Sequence, residues 1–338
     1  MFEISPTRME QEVLRCIKAN VVPYFRSSPG VGKSSVVAKV AKENKLILID
    51  LRLSQCTPED LQGFPMRNGD KATFTPFDMF PLKGDKIPEG YNGWLILLDE
   101  LSSAGKPVQA AAYKLILDRM VGSFQLHEKV AMVAAGNLDT DKAVVFNMST
   151  ALQSRLIHYE LKPVLSDWMN WAVTQNFDHR ILAFLNFKKN MLMNFDPNHS
   201  DKTFPCPRTW EFLNRLIKDQ PVNEDTLPCI AGTIGQGAAA EFNTFCKVYK
   251  QLPSVSQITS DPINAPIPEE PGAKYAVASM LTQELDANNI KDIIIYIERF
   301  DIEMKIIFAR GAFALNRKLR DESPEFYKFV SDMLKYLK

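Results

Sequence analysis

Ser27-Ser28-Pro29-Gly30-Val31-Gly32-Lys33-Ser34-Ser35 is the stretch whose reading decides the fold. The run Val21-Val22-Pro23-Tyr24-Phe25 before it reads as a strand, and Ser34–Glu43 after it has the composition of a helix. A glycine-rich loop between strand and helix gathers backbone N–H groups around an anion at the positive end of the helix dipole. Gly30 and Gly32 stand where the backbone must approach phosphates closely, and Pro29 stiffens the loop. Lys33 reaches the β- and γ-phosphates, and Ser34 offers its hydroxyl to Mg²⁺. The strict pattern asks for glycine at the first position, and this chain has Ser27 there. Alone, such a loop could be an accidental turn. With a strand before it and a helix after it, the residues Ser28, Pro29, Gly30, Val31, Gly32, Lys33, Ser34 and Ser35 read as a triphosphate cradle.

The matching signal comes about sixty-five residues further on, in Trp94-Leu95-Ile96-Leu97-Leu98-Asp99-Glu100. A continuous apolar run suits a strand buried on both faces. It ends in two carboxylates, a common solvated strand end when it stands alone. Beside a phosphate loop, Asp99 is suited to the Mg²⁺ shell and Glu100 to polarising an attacking water. Asn137, closing the run Val130–Ala135 as Ala135-Gly136-Asn137, is the third candidate. On a strand between the two motif strands, its amide would lie near the γ-phosphate and the water. An Asn opening the turn Asn137-Leu138-Asp139 is the commoner use. Arg155, just before Leu156–Leu161, and Arg208, at a helix start after two prolines, are the candidate cationic partners. An arginine at a helix start opposes the dipole and wants an anion. For an isolated arginine, a surface ion pair is the preferred reading.

Strand runs at Lys45–Leu51, Val130–Ala135 and Leu156–Leu161 alternate with helical segments, including Val108–Arg119 and a helix start at Thr57-Pro58. This pattern argues a parallel, doubly wound α/β sheet. Residues 63–93 are rich in Gly and Pro and read as a long excursion with little periodicity. Its Phe74, Phe77, Met79 and Phe80 either meet a partner or fold back onto the domain. After Pro163, strand-like runs disappear. The helices read there are Leu165–Phe177, His179–Met193, Thr209–Lys218, Ala238–Leu252, Tyr275–Leu285 and Ile293–Phe313. The Pro-rich joint Asp261–Pro271 is the best internal boundary. The glycine-rich Ile230–Ala238 lacks a preceding strand and reads as close helix packing. The expected organisation is an α/β core over 1–162, a helical lid over 163–252 and a C-terminal helical region over 253–338.

The 338 residues carry 40 basic and 40 acidic side chains, so bulk charge points to neither nucleic acid nor an anionic membrane. Five cysteines without a Cys-x-x-Cys pair argue reduced thiols and a cytoplasmic protein rather than disulfides or zinc. His127, His158, His179 and His199 lack metal-ligand spacing. The N-terminus has no basic-then-apolar leader, and no apolar run approaches a membrane span.

In chain order, Ser28–Ser34, Leu98-Asp99-Glu100, Ala135-Gly136-Asn137, Ser154-Arg155 and Pro207-Arg208-Thr209-Trp210 resemble Walker A, Walker B, sensor 1, the arginine finger and sensor 2 of AAA+ ATPases. Asp50–Gln55 with Glu59–Gly63, and Leu98–Ala104, are similar to segments of the MoxR-like, dynein-related branch. The resemblance covers roughly residues 20–250. It implies a P-loop NTPase core with a five-stranded sheet of order 5-1-4-3-2, a helical lid, and ATP and Mg²⁺ as cofactors. It also implies a hexameric homo-oligomer, often working with a von Willebrand A domain partner. Arg155 would then act on a neighbour's nucleotide, and Arg208 would sense the γ-phosphate from the lid. The expected function is chaperone-like remodelling driven by ATP hydrolysis. Two alternatives are a DNA-directed motor or loader, against which neutral charge weighs, and a non-hydrolysing nucleotide-bound scaffold, against which Glu100 weighs.

Overall fold

The computed structural model describes residues 2–141, 146–198, 201–249, 252–315 and 323–337. The chain divides into two compact units. One is Met1–Val164 with Asp196–Asn198; the other is Leu165–Phe195 with His199–Lys338.

The first unit runs β1 (Glu3–Ile4), α1 (Pro6–Ala19), β2 (Val22–Arg26), α2 (Lys33–Glu43), β3 (Leu46–Arg52), α3 (Pro58–Gln62), β4 (Phe64–Asn68), β5 (Lys71–Thr75), β6 (Gly93–Asp99), α4 (Lys106–Asp118), β7 (Met120–Val121), β8 (Phe124–Gln125), β9 (Val130–Gly136), α5 (Thr150–Gln153) and β10 (Leu156–Leu161). Among the described residues, six strands form one sheet in the order β1-β10-β2-β9-β6-β3. Every pair in it is parallel. The inner five give the expected order 5-1-4-3-2. The sixth, β1, lies outside β10 and is too short for periodicity to reveal it. This is an α/β P-loop NTPase-like core.

The sheet forms because its central strands have apolar residues for both faces. In β6, Gly93 through Leu98 are all buried. Ile96 and Leu98 share a core with Tyr24, Met132 and Ala134, and with Val108, Ala111, Ala112 and Leu115 of α4. Alternation turns Leu95 and Leu97 to the opposite face, where α1 and α2 pack. The helices α1 and α3 have legible starts. Ser5 caps α1 by accepting from the Arg8 N–H, with Pro6 in the first turn. Thr57 and Asp60 form a reciprocal capping box on α3.

The 63–93 excursion holds an antiparallel hairpin, β4–β5, turning at Gly69 (φ 64°). Its own strands alternate little because no layer covers them; Phe64, Met66 and Phe74 are exposed, as is Phe77 beyond it. The later part folds back: Phe80 is buried, Met79 and Leu82 pack on the same core, and Leu82 bridges to Leu126.

The second unit is helical: α6 (Leu165–Thr174), α7 (His179–Phe187), α8 (Pro207–Ile217), α9 (Leu227–Ile234), α10 (Gln236–Tyr249), α11 (Val255–Ser260), α12 (Pro271–Gln283), α13 (Ile290–Ile297), α14 (Ile302–Leu315) and α15 (Pro324–Leu334). Its described residues form two apolar clusters, one centred on Phe184, Trp210 and Phe242, the other on Tyr296, Phe308 and Phe326. The Pro-rich joint lies inside this unit, between α11 and α12. The helix read over Ile293–Phe313 is two, because Asp301 restarts the chain by accepting from the Met304 N–H at 3.3 Å. Apolar periodicity alone carried the reading through that break. The helix read over His179–Met193 ends at Phe187 and continues as a 3-10 turn, Lys189–Leu192. The expected end of the helix at Leu252 runs across residues outside those described, as does His199. Among the described residues, no helix is long and apolar enough to cross a membrane.

Candidate functional site

Parallel register assembles the site. Arg26 pairs with Gly136, Arg52 with Asp99, and Ala134 with both Tyr24 and Leu98. The C-terminal ends of β2, β9, β6 and β3 therefore share one edge of the sheet, where ligands of open α/β sheets bind.

At that edge the loop leaves β2 and enters α2. Gly30 (φ 79°) and Gly32 (φ 103°) occupy the left-handed region that favours glycine. No side chain caps α2, so its first-turn N–H groups face outward for an anion. A Cβ built on Gly32 meets nothing within 4 Å, so the loop opens to a space that a phosphate can enter.

Five sequence candidates, Lys33, Ser34, Asp99, Glu100 and Asn137, meet here. Ser34 Oγ donates to Asp99 Oδ2 at 2.7 Å. Lys33 Nζ donates to Ser27 Oγ (2.8 Å), the Ser27 carbonyl (3.2 Å) and Asn137 Oδ1 (3.4 Å). The Glu100 N–H donates to Asp99 Oδ1 at 2.8 Å. Glu100 itself sits at φ 59°, an uncommon conformation for a residue with a side chain, at the junction of β6 and the 3-10 turn Leu101–Ser103. The hydroxyl–carboxylate pair Ser34–Asp99 is a hard-oxygen donor set of the kind Mg²⁺ takes, and a lysine beside outward-facing N–H groups suits a polyphosphate. The residues fit both groups.

Arg155 is not brought to this place. Arg155 precedes Leu156, which pairs with Val22 at the start of β2, whereas the loop leaves from Arg26 at its other end. Four residues of strand, roughly 13 Å, separate those two levels of the sheet. Its guanidinium lies over the Tyr113 ring at 4.8 Å and donates to the Ala151 carbonyl and to Ser154 Oγ. Arg208 belongs to the second unit, exposed in the first turn of α8.

Three residues that sequence reasoning missed are part of the site. Ser54 Oγ donates to Glu100 Oε2 and fixes the orientation of that carboxylate. Ser102 Oγ accepts the Asn137 N–H at 3.1 Å, tying the end of β9 to the turn after β6. Gly136 leaves room for this: a Cβ there would lie 2.3 Å from the Tyr24 hydroxyl and 2.7 Å from Ser102 Oγ. Asp141 is buried beside the loop, hydrogen-bonded with Ser28 and in the field of Lys33, with Oδ2 unpartnered among the described residues. Burial pushes its carboxyl above the ordinary range, against the lowering pull of Ser28 and Lys33. Asp50, on β3, is raised by burial and then by the nearby Asp99. Long-range contacts of this kind leave no spacing signal in a sequence.

No family model matches the chain, and no curated protein does. Among solved structures, a Cytophaga hutchinsonii protein described as a "putative ATPase" matches over 97% of this chain and 88% of its own, at 13% identity and a TM-score of 0.36. A likeness that loose bears on neither fold nor activity, and the topology above stands on its own.

The raised Asp141 carboxyl has a consequence for stability. The unfolded chain ionises it near the usual value of about 4, the folded chain only at higher pH. Ionisation therefore opposes folding above the ordinary range, and fully so once pH exceeds the folded value; below it neither state pays. Asp141→Asn keeps an acceptor for Ser28 and removes the charge. Its urea midpoint should exceed the parent's at about pH 7 and match it at about pH 3. An equal difference at both pH values would show that the charge is not the cause.

Proposed function

We propose that this chain is a Mg²⁺-dependent ATPase of the MoxR-like AAA+ type, coupling hydrolysis to chaperone-like remodelling of a protein partner. The observation that carries it is the 2.7 Å contact of Ser34 Oγ with Asp99 Oδ2, with Lys33, Glu100 and Asn137 alongside. Residues from three separate segments, in the chemical types that phosphoryl transfer needs, converge at one strand edge.

Little covalent chemistry is asked of the protein; positioning and charge stabilisation carry the reaction. The N–H groups of Gly30–Ser35 and the Lys33 ammonium hold the β- and γ-phosphates. Ser34 and Asp99 hold the cation, which when bound neutralises charge on the phosphate oxygens. Glu100 takes a proton from the attacking water, and Asn137 orients that water. Neutral overall charge weighs against a DNA substrate. The resemblance to the MoxR-like branch supports a homo-oligomeric ring, a von Willebrand A domain partner, and Arg208 as a γ-phosphate sensor from the helical unit.

Glu100→Gln should bind ATP as the parent does and turn it over roughly 10²–10⁴-fold more slowly, the usual scale for a general base. Paired binding and single-turnover measurements check this, and parental turnover would remove Glu100 from the role.

The place of Arg155 at the far end of β2 supports action on a neighbouring subunit's nucleotide. Arg155→Ala should bind ATP yet lose about 10³–10⁵ in rate. Mixing it with Glu100→Gln should recover turnover, since an intact Arg155 then faces an intact Glu100 at some interfaces. A mixture as inactive as its components, from a protein sedimenting as a monomer, would rule the trans role out.

A further inference from the structure

Ser27 stands where the strict phosphate-loop pattern has glycine, yet nothing in the backbone requires glycine there. Its φ is not among the positive values of the chain. Its side chain is wholly buried rather than crowding the loop mouth. The hydroxyl donates to the Ser28 carbonyl at 2.8 Å and accepts from Lys33 Nζ at 2.8 Å. The latter is the shortest of the three hydrogen bonds that the ammonium makes to Ser27 and Asn137.

We propose that Ser27 is a positioning residue that holds Lys33 back from the phosphates, so that its hydroxyl loosens nucleoside triphosphate binding. The inference rests on the nucleotide-site reading above. An ammonium has three N–H bonds and no acceptor, and Lys33 directs three at Ser27 Oγ, the Ser27 carbonyl and Asn137 Oδ1. A phosphate oxygen gains a bond from Lys33 only if one of these is given up. Hydrogen bonds to a charged group are among the stronger ones, so the exchange offsets much of what the phosphate contributes. A glycine at this position provides the carbonyl but no hydroxyl, and the lysine there has one competitor fewer. The Ser27 N–H donates to the Gly136 carbonyl at 3.3 Å; substitution of the side chain leaves that backbone tie in place.

The test compares the parent, Ser27→Ala and Ser27→Gly by equilibrium titration with ATP and, separately, with adenosine. Ala deletes the hydroxyl and keeps the Cβ; Gly restores the strict pattern. Circular dichroism establishes that each variant is folded, and either one alone suffices if the other is not. The expected result is ATP affinity higher by about tenfold, the scale of one such bond, with adenosine affinity unchanged because adenosine has no phosphate for Lys33. ATP affinity equal to or below the parent's would overturn the proposal. So would equal tightening for ATP and adenosine, which would assign the effect to pocket shape. A parent that fails to bind ATP at all is a different result: it removes the nucleotide reading itself, and this proposal with it.

Discussion

The parallel register of β2, β9 and β6 is the constraint on which the rest depends. Antiparallel or slipped pairing by even one residue would send alternate side chains to the opposite face. In the observed register, Arg26, Gly136 and Asp99 end their strands at one edge. The phosphate loop, the Asn137 turn and the Asp99-Glu100 pair are then neighbours without any of them being adjacent in sequence. The apolar residues of β6 and β9 serve the same end, since burial on both faces fixes the register rigidly enough to hold a 2.7 Å contact across the gap to α2.

The features most legible in the sequence were those with local causes. Thr57-Pro58 marks a helix start, Gly30 and Gly32 mark the loop, and the run Trp94–Leu98 marks a doubly buried strand. Leu156–Leu161 coincides with β10 residue for residue. What escaped was set by distance. The β1 strand exists only because β10 offers an edge to Glu3 and Ile4. The β4–β5 hairpin rests on backbone pairing and a turn at Gly69, with few buried side chains to announce it. The break between α13 and α14 depends on one Asp301 cap inside an unbroken apolar pattern.

The candidate site divides along the same line. Lys33, Ser34, Asp99, Glu100 and Asn137 belong to segments with recognisable shapes, and the fold brings them together. Ser54, Ser102 and Asp141 act through contacts reaching from another element: Ser54 on Glu100, Ser102 on the Asn137 N–H, Asp141 on Ser28. A serine in a turn has no pattern that distinguishes it from its many neutral neighbours. Ser27 was legible only as a departure from a motif; its bond to Lys33 gives that departure a physical meaning.

The central claim is that Lys33, the loop amides and the Ser34–Asp99 pair form one polyphosphate and cation site. Titration of the parent and Lys33→Ala with a fluorescent ATP analogue, with and without Mg²⁺, tests it most directly. The account predicts saturable binding by the parent, strengthened by Mg²⁺, and binding lost or greatly weakened in the variant. Equal affinity of parent and Lys33→Ala, indifferent to Mg²⁺, would contradict it.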